Sequence, residues 1–510
     1  MIQRLADPQA ANDWLRARVQ GQLTVDSRRV GAHDGFVAWP GAAVDGRQFV
    51  GDALAQGAAA CLVEAQGVEH ALPDALRHGT QAERIASYDH LKADTGPIAS
   101  LFYGEPTRQL ATVAVTGTNG KTSTAWWLAS LLPHLPAPHA QRCLMVGTLG
   151  VGEPPAVHST GLTTPDPVRL HQAFRDAVQD GVTACVMEAS SIGLAEHRLD
   201  GVRIDTAVFT NFTQDHLDYH ADMADYWQAK RRLFDWPGLR HAVVNIDDDQ
   251  GARLAEDLKT SAQAGELDLW TVGRHPAARL RAVAVHHADE GMGIELSDPD
   301  DERVVVHTTQ FGDFNVNNLL GVIACMRAWG VPLAAVAQGV ARLPAVPGRL
   351  QRVAAAGRSG PLVLVDYAHT PDALDKALQA VRPLADQRGG RLWCVFGCGG
   401  NRDAAKRPLM GRVAEQGADR VVVTSDNPRH EAPMAIIEAI QAGMTRPHLT
   451  EVDRGGAIQM AITQASPRDV VVLAGKGHED YQEVVGERHP FSDLDVARLA
   501  LQRRSSGGAP

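Results

Sequence analysis

The sequence predicts an α/β protein of three domains: a small N-terminal α/β domain, a central domain on a mostly parallel sheet, and a C-terminal α/β domain. Three observations predict it. Short β-branched runs at 113–115, 184–187, 207–210, 242–245, 362–366, 392–396, 421–424 and 470–474 alternate with helical stretches such as 371–381 and 434–444. Most of these runs are continuously apolar, as in strands buried on both faces. The chain has 510 residues, too many for one core and enough for about three domains.

Composition narrows the class. Apolar residues make up 44% and charged residues 21% of the chain, which is globular usage. No apolar run reaches the roughly 18 residues of a membrane span, and the first twenty residues lack a signal-peptide core. A soluble, cytoplasmic protein is expected, with no membrane partner. With 49 Lys and Arg against 60 Asp and Glu, the net charge of −11 argues against a nucleic-acid partner. The six cysteines are scattered, and Cys394 and Cys398 lack a second pair, so neither a disulfide framework nor a structural zinc is expected. Turn-rich Gly104-Glu105-Pro106 and Ala345-Val346-Pro347-Gly348 mark boundaries, giving domains 1–106, 107–346 and 347–510.

Polar clusters follow the strands: 117–122, 188–191, 211–216, 366–370, 397–403, 426–429 and 475–479. In open parallel sheets ligands bind beyond those strand ends. The first cluster is the most specific. A strand runs into Gly117-Thr118-Asn119-Gly120-Lys121-Thr122-Ser123 and then an apolar helix. Glycines let backbone N–H groups curl around phosphate oxygens, Lys121 supplies charge, and the Thr122 hydroxyl can meet Mg²⁺. Only two residues separate Gly117 from Gly120, where the common loop has four. The central domain is therefore of the P-loop type, binding a nucleotide.

This short loop, with MEASS, TNFTQDHLDYH, YWQAKRRLF, FNVNN, VPGR, VDYAHTPDAL, GCGGNRDAAKRPLMG, SDNPR and AGKGHEDYQ in order, resembles the Mur ligase family from about Val25 to about Gln482. These are ATP-dependent amide-bond enzymes of peptidoglycan synthesis. The resemblance implies an N-terminal domain for the UDP-sugar, a central ATP domain and a Rossmann-like C-terminal domain that closes over an amino acid. It implies two Mg²⁺ ions, ATP as co-substrate, and a CO₂-derived carbamate on Lys230.

Residue by residue, the resemblance places Glu188 on Mg²⁺ beside Thr122, His216 near a second ion, and a carbamate on Lys230 holding Mg²⁺ beside the γ-phosphate. Read alone, Lys230 with Arg231 and Arg232 is a solvated basic helix face, and His216 a turn residue. Asn315 and Asn318 share a helix face and match the family's adenine contacts, with a helix cap as the plain alternative. Arg349 matches an ATP-phosphate arginine, Asp366 a ribose carboxylate, and His369 lies in the same loop. Ser27 is implied to touch the UDP-sugar, in Asp26-Ser27-Arg28, which pairs with a second signal at Asp45-Gly46-Arg47. Thr163, Thr164, Ser190 and Arg198 match contacts to UDP-MurNAc-L-Ala-D-Glu. Ala42-Ala43 and Glu196 depart from the family pattern.

Arg402, Asp426, Asn427, Pro428, Arg429, Gly475 and Glu479 match the amino-acid site. Arg429 can clamp a carboxylate bidentately, and the D-N-P-R form resembles the enzymes that add meso-diaminopimelate. A lysine-adding relative, a folylpolyglutamate-type ligase and a P-loop ATPase without ligation stand as alternatives. A monomer is expected.

Overall fold

A computed structural model describes residues 2–41, 44–288, 291–298, 303–354 and 360–505. Ala42-Ala43 and the end of the 505–510 tail lie outside the described residues. Contacts divide the chain into two compact units. One holds Met1–Arg281, Asp298–Asp301 and Asn318–Gly339, the other Ala282–Ser297, Glu302–Asn317 and Val340–Pro510.

The first unit begins with a five-stranded sheet of Gln3–Leu5 (β1), Leu23–Thr24 (β2), Gly35–Ala38 (β3), Ala60–Glu64 (β4) and Ile85–Tyr88 (β5). It is parallel throughout, in the order β1-β5-β4-β3-β2. Successive residues of β4 feed opposite cores. Leu62 joins Trp14, Leu15 and Ile98, while Cys61 and Val63 join Phe36, Val50 and Leu54. Burial on both faces explains why these strands read as unbroken apolar runs.

The second sheet of this unit contains Ala111–Thr116 (β6), Cys143–Gly147 (β7), Gly150–Glu153 (β8), Ala156–His158 (β9), Ala184–Glu188 (β10), Thr206–Phe209 (β11), His241–Asn245 (β12) and Asp268–Gly273 (β13). The order is β13-β12-β11-β6-β10-β7-β8-β9, parallel from β13 to β7. β6 lies between β10 and β11; the chain leaves it toward β7 on one side and later crosses from β10 to β11 on the other. That is the switch point at which an open α/β sheet leaves a crevice. The helix after β6, Lys121–Leu131, is buried from Thr122 onward. A helix covered all round needs no amphipathic stripe, and its Trp126 and Trp127 supply the bulk.

In the second unit, Leu280–Ala288 (β14) ends, Gly291–Ser297 (β15) pairs antiparallel with Arg303–Thr308 (β16), and a six-stranded sheet follows. Its strands are Gln351–Arg352 (β17), Leu362–Asp366 (β18), Leu392–Phe396 (β19), Arg420–Val423 (β20), Leu449–Thr450 (β21) and Val470–Ala474 (β22), in the order β17-β18-β22-β19-β20-β21. All pairs but β17–β18 are parallel. Leu364, Val472 and Phe396 face the helices Pro371–Gln387, Lys406–Gly417 and Pro433–Gln441. Val363, Val471 and Val395 face Arg454–Gln464 and Asp493–Ser505. The first of these helices runs past the expected end at 381 and carries Pro383 inside it. A hairpin of Tyr481–Val484 (β23) and Glu487–Pro490 (β24) completes the unit.

Candidate functional site

In the first unit the site is built around the turn after β6. Gly117 has φ 143° and Gly120 φ 85°, conformations that glycine adopts without a Cβ penalty. There is no room for one either. A Cβ on Gly117 would lie 1.9 Å from Thr210 Oγ1, and one on Gly120 2.2 Å from Asn318 Oδ1. The segment after β11 braces the loop. Asn211 accepts from the Asn119 amide at 2.9 Å and donates to its carbonyl at 3.1 Å. Thr118 donates its amide hydrogen to the Asn211 carbonyl at 2.8 Å. Its hydroxyl lies 3.1 Å from Tyr226 Oη. Lys121 donates to the carbonyls of Gly117 at 2.9 Å and Thr118 at 2.8 Å. Ser123 is buried on the same helix.

Glu188 is fully buried at the end of β10, opposite Val115. It accepts from the Thr122 hydroxyl at 3.0 Å and the Thr148 amide at 2.7 Å. Thr148 Oγ1 lies 3.0 Å from Thr163 Oγ1. Thr164 donates to the Glu188 carbonyl at 2.8 Å and lies 3.0 Å from Ser190 Oγ, and Arg198 donates to the Thr164 carbonyl at 3.0 Å. Thr163, Thr164, Ser190 and Arg198 thus form one hydrogen-bonded shelf beside Glu188.

Lys230 departs from the solvated-face reading. Arg232 is exposed as that reading expects, but Lys230 is 1% exposed and donates to the Gly117 carbonyl at 2.7 Å. Its ammonium sits 4.5 Å over the Tyr226 ring. Burial, with the charge of Lys121 beside it, holds the amine well below its ordinary pKa, against the pull of Asp215. His216 is half-buried at φ 54° and packs edge-on against Tyr226. Burial lowers its pKa, Asp215 opposes, and the charges of Lys121 and Lys230 add to the lowering. Lys121, Lys230 and His216 therefore share one electrostatic neighbourhood.

Ser27 stands apart, in a 3₁₀ turn. Asp26 caps that turn and pairs with Arg28 at 2.9 Å. Asp45 and Arg47 repeat the arrangement at 2.7 Å, so the Asp and Arg of both tripeptides hold each other. The next residue, Arg29, acts by its charge on Asp166 at the start of helix Pro167–Gln179.

A cleft of about 780 Å³ elsewhere in this unit is lined by Ser100, Arg108, Asp200, Arg203 and Trp236 among others. It shares none of the expected site residues. Its arginines are committed, Arg108 to Glu105, Arg203 to Asp205 and Arg232 to the Leu194 carbonyl.

In the second unit, Asn315 donates to the Phe311 carbonyl at 2.7 Å, within the turn that opens helix Asp313–Ala328. Asn318 belongs to the first unit, where a Cβ on Gly120 would lie 2.2 Å from its Oδ1. Asp366, Ala474 and Phe396 are level at the strand ends. Asp366 accepts from the amides of Leu350 at 2.7 Å and Ala368 at 2.8 Å. Burial raises its pKa, and Arg349 opposes. Arg349 lies 4.7 Å over the Tyr367 ring, and His478 and His369 pack on that same ring. Burial pushes His478 down to about 4 and also lowers His369.

The loop bearing His478 continues to the other expected group. Lys476, fully buried, donates to Asn427 at 3.0 Å and Glu479 at 3.1 Å, and lies 3.8 Å from Asp426. Asn427 donates to Glu479 at 2.9 Å. A Cβ on Gly475 would lie 2.7 Å from Asp426 Oδ2. Burial raises the Asp426 pKa against the charges of Arg454 and Lys476. Pro428 is buried. Arg429, at φ 51°, donates to the Gly400 carbonyl at 2.8 Å and lies 3.4 Å from Glu483. Arg402 is exposed, and a Cβ on Gly399 would meet both Arg429 and Arg402, at 2.9 and 3.8 Å.

Sequence reasoning missed Tyr226, Thr148, Asp215, Lys476 and the buried Arg454–Asp493 pair. The spacing of Tyr226 and Lys230, four apart and so on one helix face, could have flagged the first.

Family models match three stretches: "Mur ligase family, catalytic domain" over 21–90, "Mur ligase middle domain" over 115–326, and "Mur ligase, glutamate ligase domain" over 348–477. A UDP-N-acetylmuramoyl-L-alanyl-D-glutamate–2,6-diaminopimelate ligase of Acidovorax sp. (strain JS42) is 58% identical over 508 residues, covering 99% of both chains. A solved structure of an enzyme of that name is 32% identical, with a TM-score of 0.67 and coverage of 96% and 95%. A folylpolyglutamate synthase of Mycobacterium tuberculosis, 19% identical with a TM-score of 0.58 over 82% of this chain and 96% of its own, shares the fold. Loop, shelf and full-length likeness agree: the chain belongs to the Mur ligase family.

Proposed function

We propose that the chain adds meso-2,6-diaminopimelate to UDP-N-acetylmuramoyl-L-alanyl-D-glutamate, with ATP going to ADP and phosphate, in cytoplasmic peptidoglycan precursor synthesis. In this reading 1–106 takes the UDP-sugar, 107–346 the ATP and 347–510 the amino acid, in a monomer. The observation that carries it is the convergence of Lys121, Lys230 and the Thr122–Glu188 pair on one phosphate loop.

The D-glutamyl carboxylate, lying along Thr164, Ser190 and Arg198, attacks the γ-phosphorus of ATP. ADP leaves, and an acyl phosphate forms. Lys121 and Arg349 stabilise charge spread over the phosphoryl oxygens, so catalysis is mostly positioning and electrostatics. Asn315 and Asn318 would hold adenine, Asp366 the ribose. An amine of diaminopimelate then attacks the acyl carbon, and the tetrahedral intermediate expels phosphate. Asn427, Glu479, Arg402 and Arg429 would hold the amino acid, the arginines taking carboxylates.

Among the described residues no cluster of three or more His, Cys, Asp or Glu could hold a metal. Mg²⁺ does not require one, because it keeps several waters and leans on substrate phosphates with one or two carboxylates. Glu188 with Thr122 fits that demand, and His216 with a carbamate on Lys230 would serve a second ion. The bound metal would neutralise phosphate charge. Burial that lowers the Lys230 pKa favours the neutral amine, the form that adds CO₂. The carbamate keeps one N–H, enough to retain the bond to the Gly117 carbonyl.

The test is isotopic. With ¹⁸O in the D-glutamyl carboxylate, one ¹⁸O should appear in released phosphate. Phosphate without label would refute the acyl-phosphate route.

A further inference from the structure

Glu196 closes helix Ser191–Ala195, whose opposite end is capped by Ser190. Its carboxylate meets two partners from distant parts of the chain. Lys92 Nζ, on helix Leu91–Phe102, lies 2.6 Å from Oε2. The Tyr219 hydroxyl donates to Oε1. Tyr219 ends the segment that carries Asp215 and His216. The lysine's helix is itself fastened to this region. Gly96 packs so closely on Asp200 that a Cβ there would lie 1.9 Å from the Asp200 carbonyl oxygen. The charge of Arg198 also acts on Glu196.

We infer that Glu196 is a positioning residue, tying Lys92 and Tyr219 to the end of the Ser190 helix so that the 211–220 segment keeps His216 packed on Tyr226, one helical turn from Lys230. The kinetic part of this inference rests on the ligase reading above; the structural part does not. The two partners approach from different elements, one bringing charge and one a hydroxyl, so the carboxylate is specified on both oxygens. A glutamine would keep an acceptor for Tyr219 and lose the ion pair with Lys92. An alanine would lose both. The side chain therefore acts through the loop it holds.

The experiment compares Glu196→Ala, Glu196→Gln, Lys92→Met and Tyr219→Phe in two assays. Amide hydrogen exchange on the free protein should show 211–220 exchanging five- to twentyfold faster in Glu196→Ala, with smaller increases in the other three. Kinetics should show kcat falling in the same rank order, with KM for the sugar-peptide within about threefold. Lys92→Met combined with Glu196→Gln should be no worse than either alone, because both remove one ion pair. Unchanged exchange in Glu196→Ala would overturn the inference. So would a rise confined to KM with Lys92→Met silent, which would make Glu196 a substrate contact. If exchange rises but the wild-type protein makes no tripeptide, the ligase reading fails while the tie stands.

Discussion

Replacing Arg429 by alanine should remove diaminopimelate selectivity while leaving a ligase. Diaminopimelate exceeds lysine by one carboxylate, and Arg429 is the guanidinium assigned to it. Its side chain is 19% exposed, so the carboxylate pair would form largely out of water. Truncating one partner of such a pair costs about 2–4 kcal/mol. At about 1.4 kcal/mol per factor of ten, kcat/KM for diaminopimelate should fall by roughly 30- to 700-fold. Activity with L-lysine, lacking that carboxylate, should change by less than about threefold. Arg429→Lys keeps the charge and loses the planar fork, so it should fall between the two. The variant also loses the hydrogen bond to the Gly400 carbonyl, worth about 1 kcal/mol of stability, which a melting curve measures separately. Retained diaminopimelate activity, or equal loss with both amino acids, would refute the assignment.

Gly117→Ala would force a Cβ to 1.9 Å from Thr210 Oγ1 at φ 143°; ATP affinity, read by titration calorimetry, should drop more than about tenfold while the fold survives. Arg454→Met would leave Asp493 buried without its partner, both side chains being 0% exposed; urea unfolding should show a loss of about 3–5 kcal/mol, much of it recovered by adding Asp493→Leu. His171 is buried with its pKa lowered from 6.5 to about 4. The unfolded chain takes the proton first, so stability is full above pH 6.5 and lost as pH falls toward 4. Linkage puts the loss at about 3 kcal/mol, and His171→Asn should flatten that part of the denaturation profile.

The sheets were legible because strands buried on both faces leave unbroken apolar runs, and β6, β10, β18 and β22 all do so. The groups at their C-terminal ends were legible for a related reason. A buried strand has no other use for a Glu188 or an Asp366. Lys230 was not legible from its surroundings. Arg232 is exposed and Arg231 half-buried against Asp235, so neither neighbour signals a buried lysine, and only the tertiary contact with the Gly117 carbonyl sets Lys230 apart. Lys476 hid between two glycines that look like a turn, and its partners Asn427 and Glu479 lie on both sides of it in sequence. The Asp26–Arg28 and Asp45–Arg47 pairs show the converse. Their motif signal is real, but much of it is spent on local caps.

The most direct test of the central claim is phosphate release with ATP, Mg²⁺ and UDP-MurNAc-L-Ala-D-Glu, comparing meso-diaminopimelate with L-lysine and weighing the product by mass. Release strongly favouring diaminopimelate, with the tripeptide product, is predicted. Release indifferent to the amino acid, without tripeptide, would contradict it.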